Sequence, residues 1–499
     1  MLTKLLLLCF LVPFAAQVSK SGGGREQLTS VKRYRTAGRS IVVTTRTGQR
    51  IRITPYGDYI IRIQVVRNME DFFPDDHYEM IQSRVWDGAL QVSRSAQRIS
   101  LETKAAKGIR VAVQEEPFQL EFSEKGKREP LLKETSGISW EGTRICEQFV
   151  SDAGEHFTGL GHGFFGRADG IDLRGTSIQR NYGAAHGNQA PLIVPFFLSS
   201  KGYGIFMNST FPNSFSFGKD SVYGFEIDTK GFEGQMDFFF ILGPEFSKII
   251  DRYTQLTGRP RFPPRAVFGL ALSDKGNDHA SSSPSDEAWW KQKVAEHRRL
   301  GFPIDHLIND NRWRAGGGQR CMSYFEWDKG RFPDPAEYDR WLKENGLIAT
   351  IDFNRCIAAR SKGWTPSFNI PVTNGIEFGA SAPDFTRGEV RQWFWNLFWN
   401  KTLDPKLGYP GDALWIDEFD ELGAAPDSMM VGNDLSWAEM KNYWFFLIAK
   451  GLVQEGWDKS ANSLKRPFVW VRGMTAGAQR YATLCCLGFR ACSSISSTL

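Results

Sequence analysis

Asp417, Glu418, Asp420 and Glu421 place four carboxylates within five positions, directly after the apolar run Ala413-Leu414-Trp415-Ile416. Apolar strands more often end in glycine, asparagine or proline. Carboxylates this close repel one another. Keeping them together points to a cation, to acid/base or nucleophilic work, or to hydrogen bonding of a polyhydroxylated ligand. The plain alternative is a solvated strand-to-helix loop. Calcium is the weaker chemical option, because no EF-hand-like spacing accompanies the cluster. Three further polar residues share the placement of Asp417 at the end of a strand-like run: Asp310 in IDHLIND, Asp352 in GLIATIDFN and Arg472 in FVWVRG. One such residue is an accident, whereas four at equivalent places form a site.

The elements that hold these residues begin near residue 265, where the chain takes up a strand, loop, helix rhythm. The strands are AVFGLALS, IDHLIND, GLIATIDFN, ALWIDEF and FVWVRG, and the helices between them carry start signals. Ser283-Pro284 precedes Asp286, Asp334-Pro335 precedes Glu337, Thr386 has Glu389 three positions on, and Ser436 has Glu439. Each puts a capping side chain where free backbone N–H groups need an acceptor. Such alternation predicts a (β/α) barrel or a doubly wound sheet. A dinucleotide-binding sheet needs a glycine-rich turn after its first strand, and ALSDKGND is not one. Polar residues at successive strand ends fit the barrel.

Upstream, residues 38–240 alternate apolar and polar positions around glycine-bearing turns, as in SIVVTTRTGQRIRITPYGDYIIRIQVV, and show no long amphipathic helix. This predicts a two-sheet β-sandwich. FSKIIDRYTQLTGRPRFPPR then carries one short helix into a proline-rich joint. The fold class is multidomain β plus α/β, with a sandwich over 22–245 and a barrel over 246–499. Residues 1–21 open with Lys4 and an apolar stretch of about twelve positions, too short to span a bilayer, and predict a secretory signal. The expected location is secreted or lumenal, with no membrane anchor.

With 38 Phe and 16 Trp the chain is rich in flat apolar surfaces, which pack cores and also stack on sugar rings. A net charge of only +5, with scattered Lys and Arg, argues against nucleic acid as a partner. Beyond Cys9, the cysteines are Cys146, Cys321, Cys356, Cys485, Cys486 and Cys492; they show no metal spacing, and Cys321 with Cys356 is a possible disulfide. No cofactor is called for. Asn208 and Asn400 head glycosylation sequons. The oligomeric state is open.

Several stretches resemble glycoside hydrolase family 31, the retaining α-glucosidases and α-xylosidases. They are LTGRPRFPPRAVFGLALS, IDHLINDN with FEWDKGRFPDP, APDFTRGEVRQWFW, LWIDEFDE and VRGMTAGAQRYA in the barrel. In the sandwich, they are HFTGLGHGFF and PFFLSSKGYGIFMNST. The resemblance implies a galactose-mutarotase-like sandwich, an eight-stranded barrel and an oligosaccharide or glycoside substrate. It implies Asp417 as nucleophile, Asp310 and Arg472 as holders of sugar hydroxyls with Asp352 beside them, and Trp415 as part of the wall against the ring. Glu418, Asp420 and Glu421 depart from the commonest form of the motif.

The family places its acid/base in a Trp-Ser-Gly-Asp-like segment after the AGAQRYA-like run. Here RYATLCCLGFRACSSISSTL follows, the expected Asp falls on Gly488, and Lys459 to Leu499 contain no Asp or Glu. The barrel is therefore expected to be incomplete, truncated near its sixth strand, with an aberrant tail over 485–499 from a shifted frame or alternative splice end. Two readings follow. One is a secreted α-glycosidase whose acid/base is missing from this sequence, which as written is inactive. The other is a non-catalytic carbohydrate-binding protein.

Overall fold

A computed structural model describes residues 24–161, 172–180, 192–218, 221–274, 284–315, 326–354, 369–370, 382–399, 404, 406, 412–417, 426–432, 435–471, 473–482 and 484–485. The N-terminal half is built from antiparallel sheets of six, five and eight strands. Period-two alternation puts Ile41, Val43, Ile51 and Ile53 of the eight-stranded sheet into one core with Ile99, Leu101, Val111 and Val113 of the five-stranded sheet. Phe149, Phe225 and Ile227 of the six-stranded sheet close it.

Two strands of the eight-stranded sheet, Ile60–Val66 and Met236–Leu242, are buried along their whole length. They explain why MDFFFIL does not alternate. Phe238, Phe240 and Leu242 enter the sandwich core, while Phe239 and Ile241 enter a second core shared with the barrel. Helix α1 (Phe246–Thr257) lies on that second face, contributing Ile249, Tyr253 and Leu256. Its approach requires Gly204, where a Cβ would stand 2.7 Å from the Ile249 side chain. Tyr253 stacks on Phe196 with ring centroids 3.9 Å apart.

The buried strands also hold charge. Arg62 forms a two-pronged pair with Asp237 at 2.9 and 2.8 Å, and the two side chains are 1% and 2% exposed. Asn208 donates to the same Asp237 at 2.9 Å and is itself 3% exposed. Its sequon is thus enclosed, with no room for a glycan in the folded chain. Asn400, Cys321 and Cys356 lie outside the described residues. On the inner faces of neighbouring strands, Glu134 and Glu147 are fully buried; they accept the Leu120 and Gln148 amides, both at 2.7 Å.

The C-terminal half is a six-stranded parallel sheet in chain order: Leu270–Asp274, Ile304–Asn309, Ile348–Asn354, Ala413–Asp417, Val469–Val471 and Leu484–Cys485. We call these barrel strands one to six. The expected first strand begins later than AVFGLALS, because Pro263-Pro264 lead into a 3-10 turn over Arg265–Phe268. Helices α2 (Glu287–Arg299) and α3 (Pro335–Glu344) start at the expected caps: Asp286 accepts from Trp289, and Asp334 accepts from Ala336 and Glu337. Ser436 likewise caps the short α5 (Trp437–Met440). Thr386 does not cap α4 (Gly388–Phe398), whose cap is Arg387 without a side-chain bond. The Thr386 hydroxyl donates instead to the buried Asp384, which also takes the Thr386 and Gly432 amides at 3.1 and 3.0 Å. A local aspartate turn outcompeted the helix cap.

The halves are stitched by residues 77–82. Tyr78 and His77 both bond Glu439 of α5, the latter at 2.8 Å, and Glu79 pairs with Lys450 at 2.6 Å. Gly477, at φ +84°, lies so close that a Cβ would meet the Met80 carbonyl at 2.6 Å. No helix among the described residues is long and apolar enough to cross a membrane.

Candidate functional site

Register sorts the barrel strands into two faces. Leu307, Ala349, Ile351, Leu414, Ile416, Val469 and Val471 join the core built with the helices. Residues of the other parity pair across the opposite face: Ile308 with Thr350, Asp352 with Trp415, and Trp415 with Trp470, with Asp417 two residues beyond Trp415 on its strand. On that face the His306 ring, on strand two, lies 5.8 Å from the rings of Phe468 and Trp470. Strand five begins at Val469 and is three strand spacings away, about 14 Å in a flat sheet. Contact across that interval means the sheet curls, with this face inside. His306 also bonds Thr350, and burial pushes its imidazole down to about 4. This imidazole is therefore uncharged near neutral pH.

Above the floor the interior turns acidic. Asp352 is 1% exposed, and the Arg314 guanidinium lies 3.6 Å from its carboxylate. Trp313 donates its indole N–H to the Asp352 carbonyl at 3.0 Å and packs against Trp327, with centroids 5.2 Å apart. Both Trp313 and Arg314 come from the loop after strand two, tied back by the Arg314–Trp327 bridge and the Asp328-to-Trp313 bond at 2.8 Å. Asp310 opens that loop, 6% exposed, and its carbonyl accepts from the Trp313 amide at 3.3 Å.

Asp417 closes strand four and is only half-buried, unlike Asp310 and Asp352. Two residues earlier, Trp415 is 3% exposed and meets Trp470 edge-on, with centroids 6.2 Å apart. The structure thus brings Asp310, Asp352, Trp415 and Asp417 to the C-terminal ends of three adjacent strands. Arg472, Glu418, Asp420, Glu421 and Gly488 lie outside the described residues. Arg314 and Trp313 were not anticipated. Their only signal is NDNRWR following the strand, a polar loop with no distinctive spacing. A carboxylate open to the barrel mouth, beside a buried carboxylate and an indole wall, can act as nucleophile or hold hydroxyl groups.

Residues 260–486 match the TIM-barrel domain of the glycosyl hydrolases family 31, and residues 50–215 match that family's N-terminal galactose mutarotase-like domain. Alpha-xylosidase XylQ of Lactiplantibacillus pentosus is 32% identical over 36% of this chain and 22% of its own length. Alpha-glucosidase 2 of Bacillus thermoamyloliquefaciens is 23% identical over 75% of this chain and 48% of its own. The family 31 dextranase of Flavobacterium johnsoniae, solved with glucose, superposes with a TM-score of 0.73 at 22% identity, covering 92% of this chain and 56% of the dextranase. The chain thus spans less than half of either curated relative and little more than half of the dextranase. The two matched domains, in the order and with the folds found here, place the chain in glycoside hydrolase family 31.

Proposed function

We propose that the chain carries the nucleophile of a retaining α-glycosidase, and that this nucleophile is Asp417. The observation behind the proposal is its half-buried carboxylate at the mouth of a family 31 barrel, one strand from the buried Asp352 and on the same strand as Trp415. In the double displacement, Asp417 attacks the anomeric carbon as the leaving oxygen takes a proton from a second carboxyl about 5 Å away. The glycosyl ester is then opened by water, which returns its proton to that same carboxyl. We assign the second carboxyl to no residue of this sequence. Asp310, Asp352 and Arg472 would hold sugar hydroxyls, with Arg314 fixing Asp352 and Trp415 flanking the ring. The substrate is an α-linked oligosaccharide or glycoside, met in a secreted or lumenal compartment.

The test is a screen of nitrophenyl α-glycosides with the full-length gene product and its Asp417→Asn variant. An amide cannot form the glycosyl ester, so turnover should vanish while thermal unfolding stays unchanged. Substantial residual activity with retained configuration would move the nucleophile elsewhere. Binding without turnover by the full-length protein would overturn the enzymatic reading.

A further inference from the structure

Far from the barrel, the five-stranded sheet of the sandwich buries Ile99, Leu101, Val111, Val113, Leu120 and Phe122 and turns its other face outward. That face is hollow. Ser93, Ser100 and Ala112 stand side by side across three strands, and the space above their short side chains is a cavity of about 420 Å³. This is within the range of small-ligand sites. Arg98 and Arg110 bracket it, two residues to either side along their strands, and Arg128 closes the rim.

The cations here outnumber the carboxylates. Arg98 and Lys133 share Glu121. Glu115 is taken by both prongs of Arg94, at 2.8 and 2.7 Å, and Glu102 by Lys125 at 3.4 Å. Arg110 meets neutral oxygens, the Lys127 carbonyl at 2.9 Å and the Ser123 hydroxyl at 3.4 Å. Arg128 has no hydrogen bond or ion pair among the described residues and is exposed. No aromatic ring lines the cavity, so a neutral glucan held by ring stacking does not fit. Guanidinium forks match the paired oxygens of sulfate and carboxylate groups, and serine hydroxyls match sugar hydroxyls.

We propose that this cavity binds an anionic saccharide, its sulfate or carboxylate groups held by Arg98, Arg110 and Arg128 and its hydroxyls by Ser93 and Ser100. The saccharide half of the assignment rests on the glycosidase reading; the anionic half does not. The experiment measures binding of fluorescent dextran sulfate oligomers to the full chain, against neutral dextran and polyglutamate of equal length. Dextran sulfate should bind, more weakly as salt is raised, and neutral dextran should not. The Arg98→Gln/Arg110→Gln/Arg128→Gln variant should lose about tenfold or more in affinity. Lys32→Gln/Arg33→Gln/Arg35→Gln, an equal charge change at exposed positions elsewhere, should lose little. Absence of dextran sulfate binding, or equal losses in both variants, overturns the site. Polyglutamate binding as tightly as dextran sulfate overturns its saccharide character alone. Turnover is not read, so failure of the Asp417 proposal leaves this result intact.

Discussion

Raising the pH from 5 to 8 should weaken the sandwich through Glu134 and Glu147. Both carboxyls are enclosed, and Glu134 Oε1 and Glu147 Oε2 have no protein donor although the two groups interact. Two neighbouring carboxyls enclosed in this way favour their neutral forms, because burial and mutual repulsion both penalise the charge. Burial pushes Glu134 up to about 7, and burial with the neighbouring carboxyl raises Glu147 well above the usual carboxylate range. The folded chain therefore keeps protons that the unfolded chain, ionising near 4.5, has given up. Because the folded-state values are raised, the stabilisation is full below about pH 4.5 and is lost as pH rises through about 7. For Glu134 alone, a rise from 4.5 to about 7 at ~1.36 kcal/mol per pH unit gives roughly 3 kcal/mol, most of it lost between pH 5 and 8. Over 499 residues, at about 2.1 cal/mol/K per residue, that is only about 3 °C in melting temperature. The comparison must therefore be differential. In Glu134→Gln/Glu147→Gln, uncharged amides replace both carboxyls at every pH. The melting temperature of the native chain relative to this variant should fall by about 3 °C between pH 5 and 8. A difference that stays flat across that range would refute the raised carboxyls.

Two further changes test the joint and the buried charge. Arg62→Met leaves Asp237 enclosed without its cation, so unfolding in urea should show a loss of about 3–5 kcal/mol. Gly477→Ala adds a Cβ where the Met80 carbonyl lies 2.6 Å away and forces a non-glycine residue to positive φ; a melting-temperature loss with faster proteolysis of residues 72–82 is expected, and unchanged values would show that the joint yields freely.

Much of the barrel site was legible because a parallel strand buried on both faces ends abruptly where it meets the barrel mouth. The polar residue at that end stands out against an apolar run, as Asp417 does after ALWI and Asp352 after IATI. Asp286, Asp334 and Ser436 were legible as caps because a first-turn amide and a short oxygen side chain meet locally. Thr386 misled, since the competing acceptor, Asp384, lay only two residues upstream and its burial was a tertiary fact. Arg314 was illegible for a related reason: its partner Asp352 is 38 positions away and meets it only because strands two and three pair side by side. The buried carboxyl pair was half visible. Ile145, Glu147 and Phe149 share one strand face, so alternation marks Glu147 as inward, but nothing local announces that Glu134 meets it. The division of the sandwich into three sheets instead of two depended on pairings between residues as distant as Ile61 and Phe240.

The sheet carrying Ile60–Val66 and Met236–Leu242 also governs how such a chain is made. During synthesis the sandwich leaves the ribosome first, and most of its inner core, all but Ala438 of α5, lies at or before Leu242. The outer face cannot. Phe196, Phe206, Phe239 and Ile241 then form an open apolar surface until α1 and the barrel helices arrive to cover it. A nascent sandwich should therefore expose this surface while the barrel is being translated, the kind of exposure that invites aggregation. Recombination between relatives faces the same surface: a sandwich exchanged without its barrel arrives with a sticky back. The two halves are thus physically dependent on each other through the core they share.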